Sequence, residues 1–217
     1  MHPKLAEHYF ARLDQAAKAL RKNNFAAHVV ETAQDAKKLI LETLIPEFKP
    51  QSIALGGSMT ITECGLYDDI KKLDSISLFD TYNYSLPPAE MIELRRQALL
   101  CDLFITSTNA VTEQGALVNL DGTGNRVASL AFGPKKVIVL AGRNKLCPDE
   151  FSAMERIKDV AAPVNAARLS KKTPCVATHR CEDCPSPERI CNSWGITVKS
   201  APKERITVVL VNEDMGF

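Results

Sequence analysis

Apolar residues recur at Leu5, Tyr9, Leu13, Ala16, Ala17 and Leu20, the spacing of one helical face, so the chain opens on an amphipathic helix. Asn23-Asn24 closes it, and Phe25 to Val30 reads as a strand. Thr32, followed by polar and acidic residues, can cap a second helix that reaches about Ile45 before Pro46. Ser52 to Leu55 is a short apolar strand running directly into Gly56-Gly57-Ser58, with a helix predicted from Thr60 to Lys72 and a strand from Ile76 to Phe79. Pro87-Pro88 opens a helix through Leu100, because proline suits the first helical turn, and Leu103 to Ile105 is again strand. Repeated strand–helix alternation predicts a parallel α/β sheet covered by helices. From Ala116 to Ala141 the pattern changes to three strands with short turns, so some pairing should be antiparallel. Asp149 to about Leu169 is helical, and Ile206 to Asn212 is the last strand.

One stretch breaks this rhythm. Ser170 to Arg205 is rich in Pro, Cys, Lys and Arg and has neither helical nor strand period. So long an irregular run needs a source of order other than a hydrophobic face. The organisation expected is a single α/β domain over residues 1–217, with a Cys-rich irregular insertion at about 170–205.

Composition narrows the function classes. A net charge of +1 supplies no excess for neutralising phosphates, so nucleic acid is not expected as the main partner. The apolar runs are only strand-length, so no membrane insertion is expected. MHPKLAEHYFARLDQ lacks the apolar core of a signal peptide, and a cytoplasmic location follows. In that reducing setting the seven cysteines read as thiols or metal ligands rather than a disulfide framework.

Candidate chemistry gathers in the turns between Thr106 and Gly142. After the Leu103 strand come Thr106, Ser107, Thr108, Asn109, Thr112 and Glu113; after Leu120 come Asp121, Gly122, Thr123, Gly124, Asn125 and Arg126. Small hydroxyls, glycines, a carboxylate and a guanidinium between buried strands suit a site for a small anionic metabolite. LGGSMT, Leu55 to Thr60, adds a strand-to-helix turn whose amides could cradle an anion, or simply a tight turn capped by Ser58. It lacks the Gly-Lys-Ser/Thr ending of a P-loop, and the chain carries neither a nicotinamide nor a flavin fingerprint. Arg126 could fork a carboxylate or satisfy turn carbonyls. The expected ligand-contacting set is Gly56, Gly57, Ser58, Thr60, Thr108, Asn109, Gly115, Gly124, Asn125 and Arg126.

Taken together, GGSMTITECG, TSTNAVTEQGALVN and DGTGNRVASLAFGPKKVIVLAG resemble the LUD-domain family of lactate-utilisation proteins. The resemblance covers roughly Leu5 to Gly142 and the last strand. It implies the fold of the ribose-phosphate isomerase, glucosamine-phosphate deaminase and CoA-transferase superfamily: a doubly wound, mainly parallel sheet with helices on both faces and a ligand site at the carboxyl ends of the strands. Thr112-Glu113-Gln114-Gly115 resembles the Ser-Glu-Asn-Gly motif of class I CoA transferases, which makes Glu113 the candidate catalytic carboxylate. No GGF-type CoA-binding signature accompanies it. If the chain is an enzyme, the resemblance implies transferase- or isomerase-like chemistry.

Cys175, Cys181, Cys184 and Cys191 are spaced C-x5-C-x2-C-x6-C, a donor set for one Zn²⁺ or a [4Fe–4S] cluster, or four reduced thiols in a loop. Three readings stay open: an α/β enzyme acting on a small anionic metabolite, a redox accessory protein beside a lactate-oxidising complex, or a binding module without chemistry. A second copy of the chain or such a complex are the expected protein partners.

Overall fold

Continuous Val, Ile and Leu runs with no polar alternation must be covered on both faces, and here they build a parallel sheet. The computed structural model describes residues 2–217. α1 (Pro3–Lys22) precedes β1 (Ala26–Val30), and α2 (Ala33–Leu39) passes through a π-helical turn, Ile40–Leu44, into α3 (Ile45–Phe48). β2 (Ser52–Leu55), α4 (Met59–Glu63), α5 (Leu66–Ile70), β3 (Ser77–Phe79) and α6 (Pro88–Gln97) follow. Next come β4 (Leu103–Ser107), β5 (Ala110–Thr112), β6 (Leu117–Asp121), α7 (Asn125–Ala131) and β7 (Lys136–Gly142). β8 (Leu146–Cys147) and α8 (Glu150–Arg156) lead through a second π turn, Ile157–Ala161, into α9 (Ala162–Arg168). α10 (Pro174–Thr178), β9 (Ser193–Thr197) and β10 (Ile206–Val211) complete the chain.

Six strands form one sheet in the order β1-β10-β7-β4-β2-β3, every pair parallel. One face packs Leu13, Leu20, Phe25, Phe104, Val137 and Val208 together; the other packs Ile40, Ile61, Leu66, Ile105, Ile138 and Val209. The architecture is therefore a doubly wound α/β fold. A second sheet, ordered β8-β5-β6-β9, joins antiparallel β5–β6 and β6–β9 pairs to a parallel β5–β8 pair. No helix among the described residues is long and apolar enough to cross a membrane.

Several element boundaries differ from the sequence reading. The second helix does not stop at Pro46: the Ile45 N–H reaches back to the Ile40 carbonyl, and the wider turn carries the helix past a residue with no N–H. The same arrangement recurs where the Ala162 N–H bonds the Ile157 carbonyl just before Pro163. The helix expected from Thr60 to Lys72 is two short ones, broken at Gly65 with φ +68°. Between Ala116 and Ala141 the middle segment is α7, a helix, rather than a third strand; its seven residues are too few for periodicity to separate helix from strand.

The Cys-rich segment also contains structure that its composition did not announce. β9 pairs along β6 from Asp121–Ser193 to Leu117–Thr197. The Asn192 N–H donates to the Asp121 carbonyl at 2.9 Å, and the Arg189 guanidinium holds the Cys184 and Cys191 carbonyls at 2.8 and 2.9 Å. Contacts within the chain thus supply part of the order of this segment. Buried Arg205 anchors the end of the segment, donating to the carbonyls of Ser129, Leu130 and Pro134 at 2.6, 2.8 and 3.0 Å. Two of these carbonyls lie in the last turn of α7, where they lack helical partners.

Gly115 lies at φ +83°, and a Cβ there would sit 2.6 Å from the Ala19 and Leu20 backbone atoms of α1. Gly115→Ala is expected to destabilise the protein by about 1–3 kcal/mol, since the neighbour is backbone and cannot step aside. Urea unfolding checks this; an unchanged midpoint would mean that α1 shifts without cost.

Candidate functional site

A cleft of about 650 Å³ opens beyond the carboxyl ends of β2, β3, β4 and β7. Polar groups at strand ends face such a crevice because the strands themselves are sealed on both sides. Thr60 comes from α4, Ser107 from the end of β4, Thr108 and Asn109 from the loop after it, and Asp121 from the end of β6. Arg126 enters from α7 and Lys145 from the turn after β7.

Of the expected site residues, Gly57, Ser58, Thr60, Thr108, Asn109, Asn125 and Arg126 line this cleft. Gly56, Glu113, Gly115 and Gly124 do not. A Cβ on Gly56 would collide with Thr106 Oγ1 and lie 2.8 Å from Phe104, so its glycine is explained by packing onto β4. Glu113 faces α1, where Arg12 holds its carboxylate at 2.6 Å. Gly115 packs on α1, and Gly124 supplies the left-handed turn that starts α7.

The glycine turn is less open to an anion than its sequence suggests. The Gly56 N–H already donates to the Ile105 carbonyl at 2.9 Å, and the Ser58 N–H to Tyr82 Oη at 2.8 Å. Burial pushes the Tyr82 hydroxyl up to about 12, so it stays a neutral strut for the turn. Arg126 is similarly engaged: Nε meets Asp121 Oδ1 at 3.0 Å, and Nη2 donates to the Leu120 carbonyl at 3.1 Å. Its backbone N–H bonds the other Asp121 oxygen at 3.1 Å. Asn109 locks the neighbouring loop by accepting from the Leu120 N–H at 3.0 Å.

Lys145 is the residue that sequence reasoning missed. Only 3% exposed, it lines the cleft and points Nζ at Thr60 Oγ1 (2.8 Å) and Ser107 Oγ (2.9 Å). No carboxylate lies within ion-pair distance of it among the described residues. Desolvation, then the nearby guanidiniums of Arg156 and Arg126, lower its pKa to about 7, opposed by Glu63. Arg156 is fixed by the Asn144 and Asn109 carbonyls, both at 2.8 Å. Its one faint sequence signal is a lysine three residues past the apolar run 137–142, a pattern that marks an exposed lysine as readily.

Cys175, Cys181, Cys184 and Cys191 line a second pocket of about 20 Å³, with Arg189 and Ile190. All four are partly exposed free thiols. The Asp183 N–H approaches Cys181 Sγ at 3.4 Å, and Thr173 Oγ1 lies 3.2 Å from Cys175 Sγ. Among the described residues no three His, Cys, Asp or Glu side chains are grouped to hold a metal ion. Ile190 borders both pockets and so connects the cysteine segment to the large cleft.

The LUD domain family model matches residues 13–211. The chain belongs to the LUD-domain family. That family is linked to lactate utilisation, and its model spans both sheets and the cysteine segment. Among solved structures, a DUF162 family protein from Deinococcus radiodurans is similar, with a TM-score of 0.52 and 14% identity over 94% of this chain and 98% of that one. At that identity the likeness concerns the fold. No curated protein matches the sequence.

The lowered pKa of Lys145 has a definite signature in stability. Between about pH 7 and the ordinary lysine range the unfolded chain binds the proton that the folded chain releases, so this group makes stability rise with pH. Lys145→Met removes the penalty of burying the charge. The variant should exceed the parent in stability most below about pH 7, with the gap narrowing as pH rises towards the ordinary lysine value of 10.5. Urea midpoints for both proteins across that range check the sign; a gap that widens with pH would contradict it.

Proposed function

We propose that the cleft binds a small anionic metabolite of organic-acid metabolism. One observation carries this reading: the side chains lining the cleft include the cations Arg95, Arg126, Arg168 and Lys171, together with the half-neutralised Lys145, against one carboxylate, Asp121. Of these five, only Arg126 has an ion-pair partner among the described residues. Such a lining focuses positive potential in a partly enclosed space, and the Ser58 hydroxyl can donate to an acid within it. The family link to lactate utilisation makes small hydroxy and oxo acids the first candidates. Transferase chemistry through Glu113 has less support, because its carboxylate is bound to Arg12 outside the cleft.

Thermal unfolding in the presence of lactate, pyruvate or phosphate tests the reading. A small acid should raise the midpoint in a salt-sensitive manner, while lactamide, the neutral analogue, should not. Arg126→Ala leaves Asp121 uncompensated beside the ligand and should weaken acid binding by about 1.5–3 kcal/mol. Equal shifts from lactate and lactamide would dismiss an anion site.

A second reading concerns the cysteines, whose convergence on one small pocket across Cys175 to Cys191 favours a shared role. Four thiolates are chemically suited to zinc or a [4Fe–4S] cluster. Their side chains would have to close further around a single ion than they do here. Metal and sulfide analysis of anaerobically prepared protein decides it: about one zinc, or about four iron and four sulfide, per chain supports a loaded site. Neither would leave four thiols.

A further inference from the structure

We infer that Lys145 is a nucleophilic amine that captures the carbonyl carbon of a small oxo acid or aldehyde bound in the cleft, forming an imine. The inference deepens the anion-binding reading and rests on it. An oxo acid presents an anionic end for the cleft cations and an electrophilic carbon for a neutral amine, and the cleft holds both kinds of partner.

The geometry distinguishes Lys145 from every other cation of the cleft. It is buried, no carboxylate among the described residues pairs with it, and Nζ bonds two hydroxyls. Thr60 Oγ1 can donate its own hydrogen to the Met215 carbonyl at 3.2 Å, and Ser107 Oγ can donate to the Thr108 carbonyl at 3.2 Å. Each hydroxyl oxygen is then an acceptor for the N–H groups, so the amine is oriented without a counter-charge that would keep it protonated. The charged groups around it are the guanidiniums of Arg156 and Arg126 and the carboxylate of Glu63, and the two cations outweigh the one anion. A lysine desolvated beside other cations is an established way to obtain a neutral amine near neutral pH. A site needing only a permanent positive charge would be served better by arginine, which does not deprotonate.

The step balances without a redox partner. The nitrogen lone pair attacks the carbonyl carbon and a C–N bond forms. The carbonyl oxygen then leaves as water, taking the two hydrogens that the neutral amine carried. Ser107 and Thr60, already bonded to the nitrogen, are placed to pass a proton from nitrogen to the departing oxygen. Hydrolysis of the imine reverses the same sequence.

Reductive trapping tests this on the intact chain. The protein is incubated near pH 7 with glyoxylate or pyruvate and cyanoborohydride, and the modified peptide is identified by mass spectrometry. At that pH an amine with a pKa of about 7 has roughly a thousandfold larger neutral fraction than an ordinary exposed lysine. Labelling of Lys145 should therefore outpace that of any exposed lysine by roughly tenfold or more even after restricted access is allowed for. The advantage should vanish by about pH 10. Lys145→Arg should lose the single fast adduct, and the parent protein should show a thermal shift but no adduct with lactate, which has no carbonyl to trap. No adduct from either oxo acid, or labelling spread evenly over exposed lysines, overturns the imine. A retained lactate shift in that case leaves the anion site standing; loss of lactate and pyruvate shifts in the parent protein would remove both.

Discussion

Strands β4, β7 and β10 lie at the centre of the parallel sheet with apolar clusters on both faces, so their side chains have no direction in which to meet water. Polar chemistry is pushed to the strand ends, and at the carboxyl ends the chain turns outward through Gly57, Ser107 and Lys145 to form the cleft. The second sheet and α7 to α9 close the other side of that opening. The position of the site is thus set by burial of the sheet, before any individual polar contact is considered.

Three partly or fully buried arginines around this region are used as fasteners. Arg126 ties Asp121 to the Leu120 carbonyl, Arg156 ties the Asn109 and Asn144 carbonyls, and Arg205 gathers two carbonyls of the last turn of α7 and that of Pro134 beyond it. A planar fork with fixed charge suits that work. Lys145 stands among them with two hydroxyl partners, and burial first, then the guanidiniums of Arg156 and Arg126, make its protonated state costly.

The cysteine segment is joined to the site rather than appended to it. β9 extends the small sheet beside β6, which ends at Asp121, and Ile190 reaches the wall of the large cleft. From Cys191 the chain runs through Asn192 and Ser193 into the β6–β9 pairing, where the Asn192 N–H bonds the carbonyl of Asp121, the partner of Arg126.

The apolar runs alone determined the strand–helix alternation, the parallel sheet, the amphipathic first helix and the location of polar turns after β4 and β6, because each depends on local periodicity and on the solvent's rejection of apolar surface. Several cleft-lining residues in those turns, including Thr108, Asn109 and Arg126, were legible for the same reason. Glu113 lies outside the cleft, and its motif does not show which side of a turn will face α1, where Arg12 waits from 101 residues away. Gly56 and Gly115 looked like ligand glycines, yet their lack of a Cβ is demanded by Phe104 and by α1. Lys145 was invisible: its partners Thr60 and Ser107 lie 85 and 38 residues away in the chain. Burial, charge neighbours and proton affinity are properties of an assembled surrounding, and only the tertiary structure brings that surrounding together.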